Sequence, residues 1–411
     1  MMRLPLLAML CLIATITGCA NHSRPVPAGM PAGSGNGSLI IAGGGTERDN
    51  KLIWGRFVDL AAGRKIGIAV TASGVADEAV ANSRAALLLH GAKPEQVIEL
   101  PLRQGDTASA DSPATVALID GLGAVWFTGG DQARITATLM NAGTDRPALV
   151  AMRRLVNDRK GVIGGTSAGA AMMSEMMLAN GTSDRWLTTL LNDPKAKLPL
   201  EQGIGFAQHF ITDQHFFARG RTGRLAAALV SGATKTGIGI DENRAVVVDL
   251  STNTVEALGD RAALVLYAGD ATAKDGKVGP LTGWLLGNGD TVVLTGTRPI
   301  VKPAAGARVW TGSDMPAMQN SPPILPRVPG RGPFATGRGP FDANQIPALL
   351  IRATMPLASD PTVAEDAKWW VTAARTAGTV RVADMAENDP ATRVHDVEIN
   401  ITRVGAPAVQ R

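Results

Sequence analysis

From Leu39 to about Leu229, short apolar runs alternate with helix-patterned stretches, and several of the apolar runs end in glycine. No other feature constrains the fold so strongly. Strand-like runs fall at residues 39–42, 66–71, 97–100, 124–128 and 161–164, and helix-like ones at 76–90, 113–121, 132–142 and 148–157. This order predicts a parallel sheet covered by helices on both faces. Ligands of such sheets bind beyond the carboxyl ends of the strands. Three loops on that rim are therefore candidates: Gly43-Gly44-Gly45-Thr46-Glu47, Thr128-Gly129-Gly130-Asp131-Gln132, and the turn inside "GVIGGTSAGAAMMSEMM", residues 161–177.

The first loop does not read as a dinucleotide site. Arg48 stands where the third glycine of G-x-G-x-x-G belongs, and no acidic residue closes the next strand. No cofactor is expected. The third loop fits G-x-S-x-G at residues 165–169, a turn in which small neighbours let the backbone fold sharply and expose a serine Oγ. A helix-forming run, Ala170 to Leu178, is expected to follow, and a helix N-terminus there favours developing negative charge. Ser167 is the candidate nucleophile. The alternative is a serine that only caps its helix.

A serine nucleophile needs a base, usually histidine. Of the five histidines, His22 lies in an N-terminal polar stretch, His90 ends a helix and His395 falls in the C-terminal part. His209 sits among apolar residues. His215, where a strand-like run meets polar residues in "FAQHFITDQHFFARGRTGRLAAAL", is the better base. With the chain order serine, acid, histidine, the carboxylate that orients the imidazole comes from Glu175, Asp184, Asp193, Glu201 or Asp213. Asp184, in the polar stretch "NGTSDRW", is the choice. Ala168 with Gly129 or Gly130 could supply backbone N–H groups for an oxyanion. Arg219, Arg221 and Arg224 cluster near a helix N-terminus, where their charge opposes the dipole, so a substrate anion or buried acids should compensate them.

The 411 residues carry a net charge of +4 and only 4% aromatic residues, which argues against a nucleic-acid stacking surface. At 45% hydrophobic and 18% charged the chain can bury a substantial core. Met1-Met2-Arg3, the apolar run 4–16 and Thr17-Gly18-Cys19 describe a secretory signal. Ile16-Thr17-Gly18-Cys19 resembles a bacterial lipobox, which implies cleavage before Cys19 and a lipid on it. Because Ala20 follows, the outer membrane is the expected address, on its periplasmic or extracellular side. The other cysteine, Cys11, lies in the removed segment, so no disulfide is expected.

"FTGGDQ", "GGTSAGAAMMS" and "DQHFFARGRTGRL", in this order, resemble the cyanophycinase family of serine peptidases. "IAGGGTE" and "GIGIDENRAVVV" match the same pattern, and together the blocks cover roughly Ser38 to Asp249. The resemblance implies a flavodoxin-like α/β fold, related to class I glutamine amidotransferases, and a metal-free homodimer. It implies hydrolysis at β-aspartyl peptide bonds, releasing β-Asp-Arg from cyanophycin, a polyaspartate carrying arginine on its side-chain carboxyls. It also implies Ser167 as nucleophile and His215 as base, with Gln132, Asp213, Gln214, Arg219, Arg221 and Arg224 at substrate-pocket positions. The family's glutamate soon after the elbow helix is replaced here by Asp184. Another isoaspartyl peptidase, a serine esterase and a non-catalytic polymer-binding lipoprotein are the alternatives.

The expected layout is a signal at 1–18, a tether at 19–37 and the α/β peptidase domain at 38–300. A Pro/Gly-rich linker at 301–345 and an extension of unassigned role at 346–411 follow. From Thr236, short strands with polar turns should extend the sheet or form a lip. In the extension, "PTVAEDAKWWVTAAR" reads as helix and "DVEINITRVG" as strand.

Overall fold

The computed structural model describes residues 37–311, Leu350, 362–365, 369–383 and 393–403. The signal, the tether with Cys19, and most of the Pro/Gly-rich stretch lie outside the described residues. Five parallel strands form the heart of the molecule: β1 (Ser38–Ala42), β2 (Lys65–Val70), β3 (Val97–Arg103), β4 (Leu122–Phe127) and β5 (Val162–Thr166). They lie in the order β1-β5-β4-β2-β3. Leu39 and Ile41 pack into the core on one face, Ile40 and Ala42 into the core on the other. Such a strand is apolar throughout because helices cover both faces.

The first face is covered by residues such as Ile135 and Met152 of helices Gln132–Leu139 and Pro147–Asn157. The second is covered by Phe57 and Leu87 of helices Lys51–Ala61 and Ala76–Leu89. The chain is a doubly wound α/β protein, as the alternation predicts. Helix Lys51–Ala61, capped by Asn50 accepting from the Ile53 N–H at 3.2 Å, is an element the sequence reading passes over.

Beyond the elbow the chain departs from expectation. Ala168–Ala171 is a single helical turn, and Met176–Leu178 is a short strand paired with Leu200–Gln202. The helix read into Ala170–Leu178 is therefore absent. "NGTSDRW", a polar stretch in the sequence, opens helix Ser183–Asn192, whose Thr182 caps the Arg185 N–H. Strands β6 (Ile211–Asp213) and β7 (Thr236–Ile240) follow, parallel to one another, with helix Thr222–Val230 between them. Strands β8 (Ala245–Asp249) and β9 (Thr254–Leu258) extend the first sheet antiparallel from β1, as the hairpin reading of this region anticipates.

A second sheet grows from β7 through β10 (Ala263–Tyr267) and β11 (Lys277–Leu286). Next in it come β13 (Arg393–Arg403) and β12 (Trp369–Ala383). One face of this sheet joins the central core through Ile238 and Val265. The other packs on helices Ser183–Asn192 and Thr222–Val230 through Leu264 and Leu266. The "WWVTAAR" stretch is thus strand, not helix. Trp369, Val371 and Ala373 are buried and Thr372 is less so, which fits the period of two of a strand. Strands β12 and β13 are thus part of the same sheet as β7, β10 and β11.

Candidate active site

Ser167 follows β5 at its carboxyl end, with φ 55° and ψ −108°. Such a backbone costs a non-glycine residue about 1–3 kcal/mol and persists only where neighbours enforce it. Enforcement comes from the Ser167 N–H, which donates to Ala42 O at 3.0 Å. It comes also from tight packing at Gly169, where a methyl group would stand 2.6 Å from Phe127 O.

His215 enters from the second sheet. Parallel pairing sets Asp213 of β6 opposite Gly239 of β7. Two residues beyond Asp213 comes His215; three beyond Gly239 comes Glu242. The two strand ends thereby present an imidazole and a carboxylate side by side. Ser167 Oγ lies 2.9 Å from His215 Nε2, and His215 Nδ1 lies 2.5 Å from Glu242 Oε1. The glycine loop after β1 closes around them. Gly43 O accepts from the His215 N–H at 2.6 Å. A methyl group on Gly44, whose φ is +105°, would stand 2.3 Å from the imidazole Cε1.

Burial pulls His215 below the ordinary histidine value, and the nearby charge of Arg219 pulls the same way; the hydrogen bond to Glu242 opposes both. A neutral imidazole at neutral pH can accept the Ser167 proton. Among the described residues, none accepts a hydrogen bond from the backbone N–H of Ala168, Gly129 or Gly130. A methyl group built on Gly129 would be 3.8 Å from Ser167 Oγ, so this loop borders the hydroxyl.

The structure brings Ser167, His215, Ala168, Gly129 and Gly130 together. It does not bring Asp184 to them. Asp184 sits in the first turn of helix Ser183–Asn192, where its Oδ1 accepts from Trp369 Nε1 at 2.9 Å. The carboxylate at His215 Nδ1 is that of Glu242, which lies after the histidine in the chain; a search confined to residues between Ser167 and His215 cannot reach it. The usable signal was an apolar strand, "GIGI", ending in Asp241-Glu242. Asp241 itself accepts from the N–H groups of Phe217 and Ala218 and so braces the turn after His215. Burial raises its carboxyl above the usual range, and these two donors offset part of the rise.

The expected substrate-pocket residues divide. Asp213 and Arg224 are 1% and 2% exposed and form a two-pronged ion pair, with Arg224 Nε to Asp213 Oδ2 at 2.7 Å and a second, shorter contact from Nη2 to Oδ1. The two side chains read as substrate contacts are thus paired with each other in the interior. Arg221 reaches Asp213 at 3.4 Å and donates to Gln214 O at 2.6 Å. Burial lowers its guanidinium to about 10, against the attraction of Asp213, and it stays charged at neutral pH. Buried acid, the second of the two compensations considered for the cluster, is what Arg221 and Arg224 find. Gln132 donates to Leu178 O at 3.2 Å. Gln214 is buried, with its Oε1 unpartnered among the described residues. Arg219 is the exposed member of the arginine cluster.

A doubly wound α/β frame here carries a strained serine hydrogen-bonded to an imidazole and that imidazole to a carboxylate, the arrangement that serine hydrolases use. Residues 39–255, more than half of the chain, match Peptidase family S51, and the chain belongs to that family. It is a peptidase. The chain is 34% identical to a cyanophycinase of Synechococcus elongatus over 155 residues, 38% of this chain and 45% of that one. To a cyanophycinase of Nostoc sp. it is 30% identical over 211 residues, 51% and 67% of the two chains. It therefore spans less than half the length of the first of these relatives. A solved peptidase from an acI-B1 Actinobacterium superposes over 67% of this chain and 97% of its own, with a TM-score of 0.45 and 18% identity.

Proposed function

We propose that the protein is a serine exopeptidase of β-aspartyl peptides that releases β-Asp-Arg from cyanophycin outside the cytoplasm. The alignment of Ser167 Oγ, His215 Nε2 and Glu242 Oε1 carries this reading. His215 takes the hydroxyl proton as Oγ attacks the scissile aspartyl carbonyl. Since the product keeps arginine on the side-chain carboxyl, the bond that breaks is the backbone amide beside the β-linked residue. The N–H groups of Ala168 and of Gly129 or Gly130 receive the oxyanion; one such donor is typically worth about 10²–10³ in rate. Protonated His215 returns its proton to the leaving amine. Water, deprotonated by the same imidazole, then frees the acyl group and restores Ser167. Glu242 holds the imidazole in the tautomer with Nδ1–H and stabilises its charged form. Arg219, exposed beside His215, is the group that would meet a substrate carboxylate.

Incubation of the chain lacking residues 1–18 with insoluble cyanophycin, followed by mass spectrometry, tests the reading. Soluble β-Asp-Arg, absent with Ser167→Ala, is the expected result; intact polymer would overturn the substrate assignment. The mutual pairing of Asp213 and Arg224 favours one second reading. With neither free to recognise a polymer side group, small isoaspartyl peptides become the alternative substrate, and their cleavage beside intact cyanophycin would select it.

The address is part of the proposal and rests on the sequence around Cys19. Palmitate should label the full chain, and Cys19→Ala should abolish the label and release the protein from the outer-membrane fraction. The proposed assembly is a homodimer, which sedimentation would distinguish from a monomer.

A further inference from the structure

We infer that the C-terminal hairpin β12–β13 positions His215, through a hydrogen-bonded chain that starts at Trp369 and Asp184. The inference rests on the serine-hydrolase reading. Trp369, the first residue of β12, is 1% exposed, and its indole N–H donates to Asp184 at 2.9 Å. At the other end of the same helix, Arg403 of β13 donates to Asn192 Oδ1 at 3.1 Å. The hairpin thus grips helix Ser183–Asn192 at both ends.

The residue beside Asp184 passes the constraint on. Buried Ser183 donates to Gly220 O at 2.5 Å and accepts from the Arg224 N–H at 3.1 Å. Arg224 holds Asp213 with two prongs, and its Nη1 reaches Ala179 O and Gly181 O, in the loop that enters the helix. From Asp213 two peptide bonds lead to His215, whose φ of +46° depends on its surroundings. The bonds that join Ser183, Arg224 and Asp213 are polar, buried and directional, so a shift of the helix start has few ways to relax before it reaches the imidazole.

Asp184 is accordingly a positioning residue. It meets the hairpin rather than the imidazole, and loss of its bond would act on His215 through Ser183, Arg224 and Asp213. The added strands, which the sequence leaves without a role, then belong to the site's mechanics.

The test uses the full chain with Trp369→Phe, which keeps an aromatic ring and removes the N–H, and with Asp184→Ala. Asp184→Asn serves as the conservative variant that retains an acceptor. Two quantities are read where every variant is fully folded by circular dichroism. They are the rate of Ser167 phosphonylation by a small fluorophosphonate, and the titration of His215 by NMR with labelled histidine. Trp369→Phe and Asp184→Ala should label about 10- to 100-fold more slowly, the scale of a displaced catalytic group. Their His215 should titrate higher than in the wild type, as the imidazole gains water, and Asp184→Asn should restore both readings. Folded variants with wild-type labelling and wild-type titration would reduce the hairpin to packing and overturn the inference. A wild-type chain that does not label at all would count against the serine-hydrolase reading instead, and the His215 titration would still decide the positioning.

Discussion

At the scale of single residues, the chemistry turns on keeping one imidazole neutral and aimed. His215 is pulled below the ordinary value of about 6.5 by burial and by Arg219, so the fraction able to act as base persists into mildly acid solution. The acidic limb of kcat/KM should therefore have its midpoint below 6.5. Arg219→Gln removes a repulsion that disfavours the imidazolium, so the limb should move to higher pH. Because Arg219 is exposed, added salt should move the wild-type limb the same way by screening. A pH profile of the two enzymes at low and high salt checks both; a limb that stays put in Arg219→Gln removes the electrostatic argument. Glu242→Gln should lower kcat by up to about 10⁴, the scale seen when the orienting carboxylate of such a site becomes an amide, and single-turnover kinetics would measure it. Glu242 also marks what a sequence withholds. Ser167 and His215 are legible because each stands at the end of an apolar strand in a distinctive local setting. Glu242 reaches His215 only through the pairing of β6 with β7, and no local pattern states which strand ends are neighbours.

At the scale of elements, the two halves of the site must be held in register across two sheets. Thr212 on β6 does much of this. Its hydroxyl lies 3.1 Å from Ser174 Oγ and donates to Ala170 O at 3.1 Å, in the turn that carries Ser167. The Thr212 N–H donates to Ser174 Oγ at 2.9 Å. All three partners are buried. Thr212→Val keeps the shape and removes the hydroxyl's bonds to Ser174 and to Ala170 O, which keeps the Met173 N–H at 3.2 Å, at a cost of about 0.5–1.5 kcal/mol per bond lost. Urea unfolding should show a lower midpoint at unchanged slope; an unchanged midpoint would mean that the link contributes nothing. The strands and helices of the parallel sheet were legible because buried parallel strands read as apolar runs and their helices as amphipathic ones. The stretch after Ser167 was not. Ala170 to Leu178 has the composition of a helix, yet its tertiary partners, Leu200–Gln202 above all, draw Met176–Leu178 into a strand. Propensity is a weak preference that such contacts override.

At the scale of the whole molecule, the interruption at 301–345 suggests a linker and then a separate extension. Composition carries no information about long-range pairing, and it is long-range pairing that returns β13, and β12 beside it, to β11. Val278, Leu281 and Leu285 of β11 share a core with Trp369, Val371, Ile399 and Ile401. Fully burying a large apolar side chain is worth about 1.5–3 kcal/mol, while a whole domain is stable by only about 5–15 kcal/mol. Removing the hairpin exposes several such side chains on both sides of the contact and leaves the edge of β11 unpaired, a template for association. A chain ending at residue 345 should therefore fail to give a folded monomer. Size exclusion should find aggregate, and an apolar dye should bind. A truncated protein that eluted as a monomer and unfolded at the full chain's urea midpoint would show that the α/β domain folds without these strands. The single variants discussed above bear on the path from Trp369 to His215, whereas truncation asks whether the sheet that carries that path can exist without its last two strands.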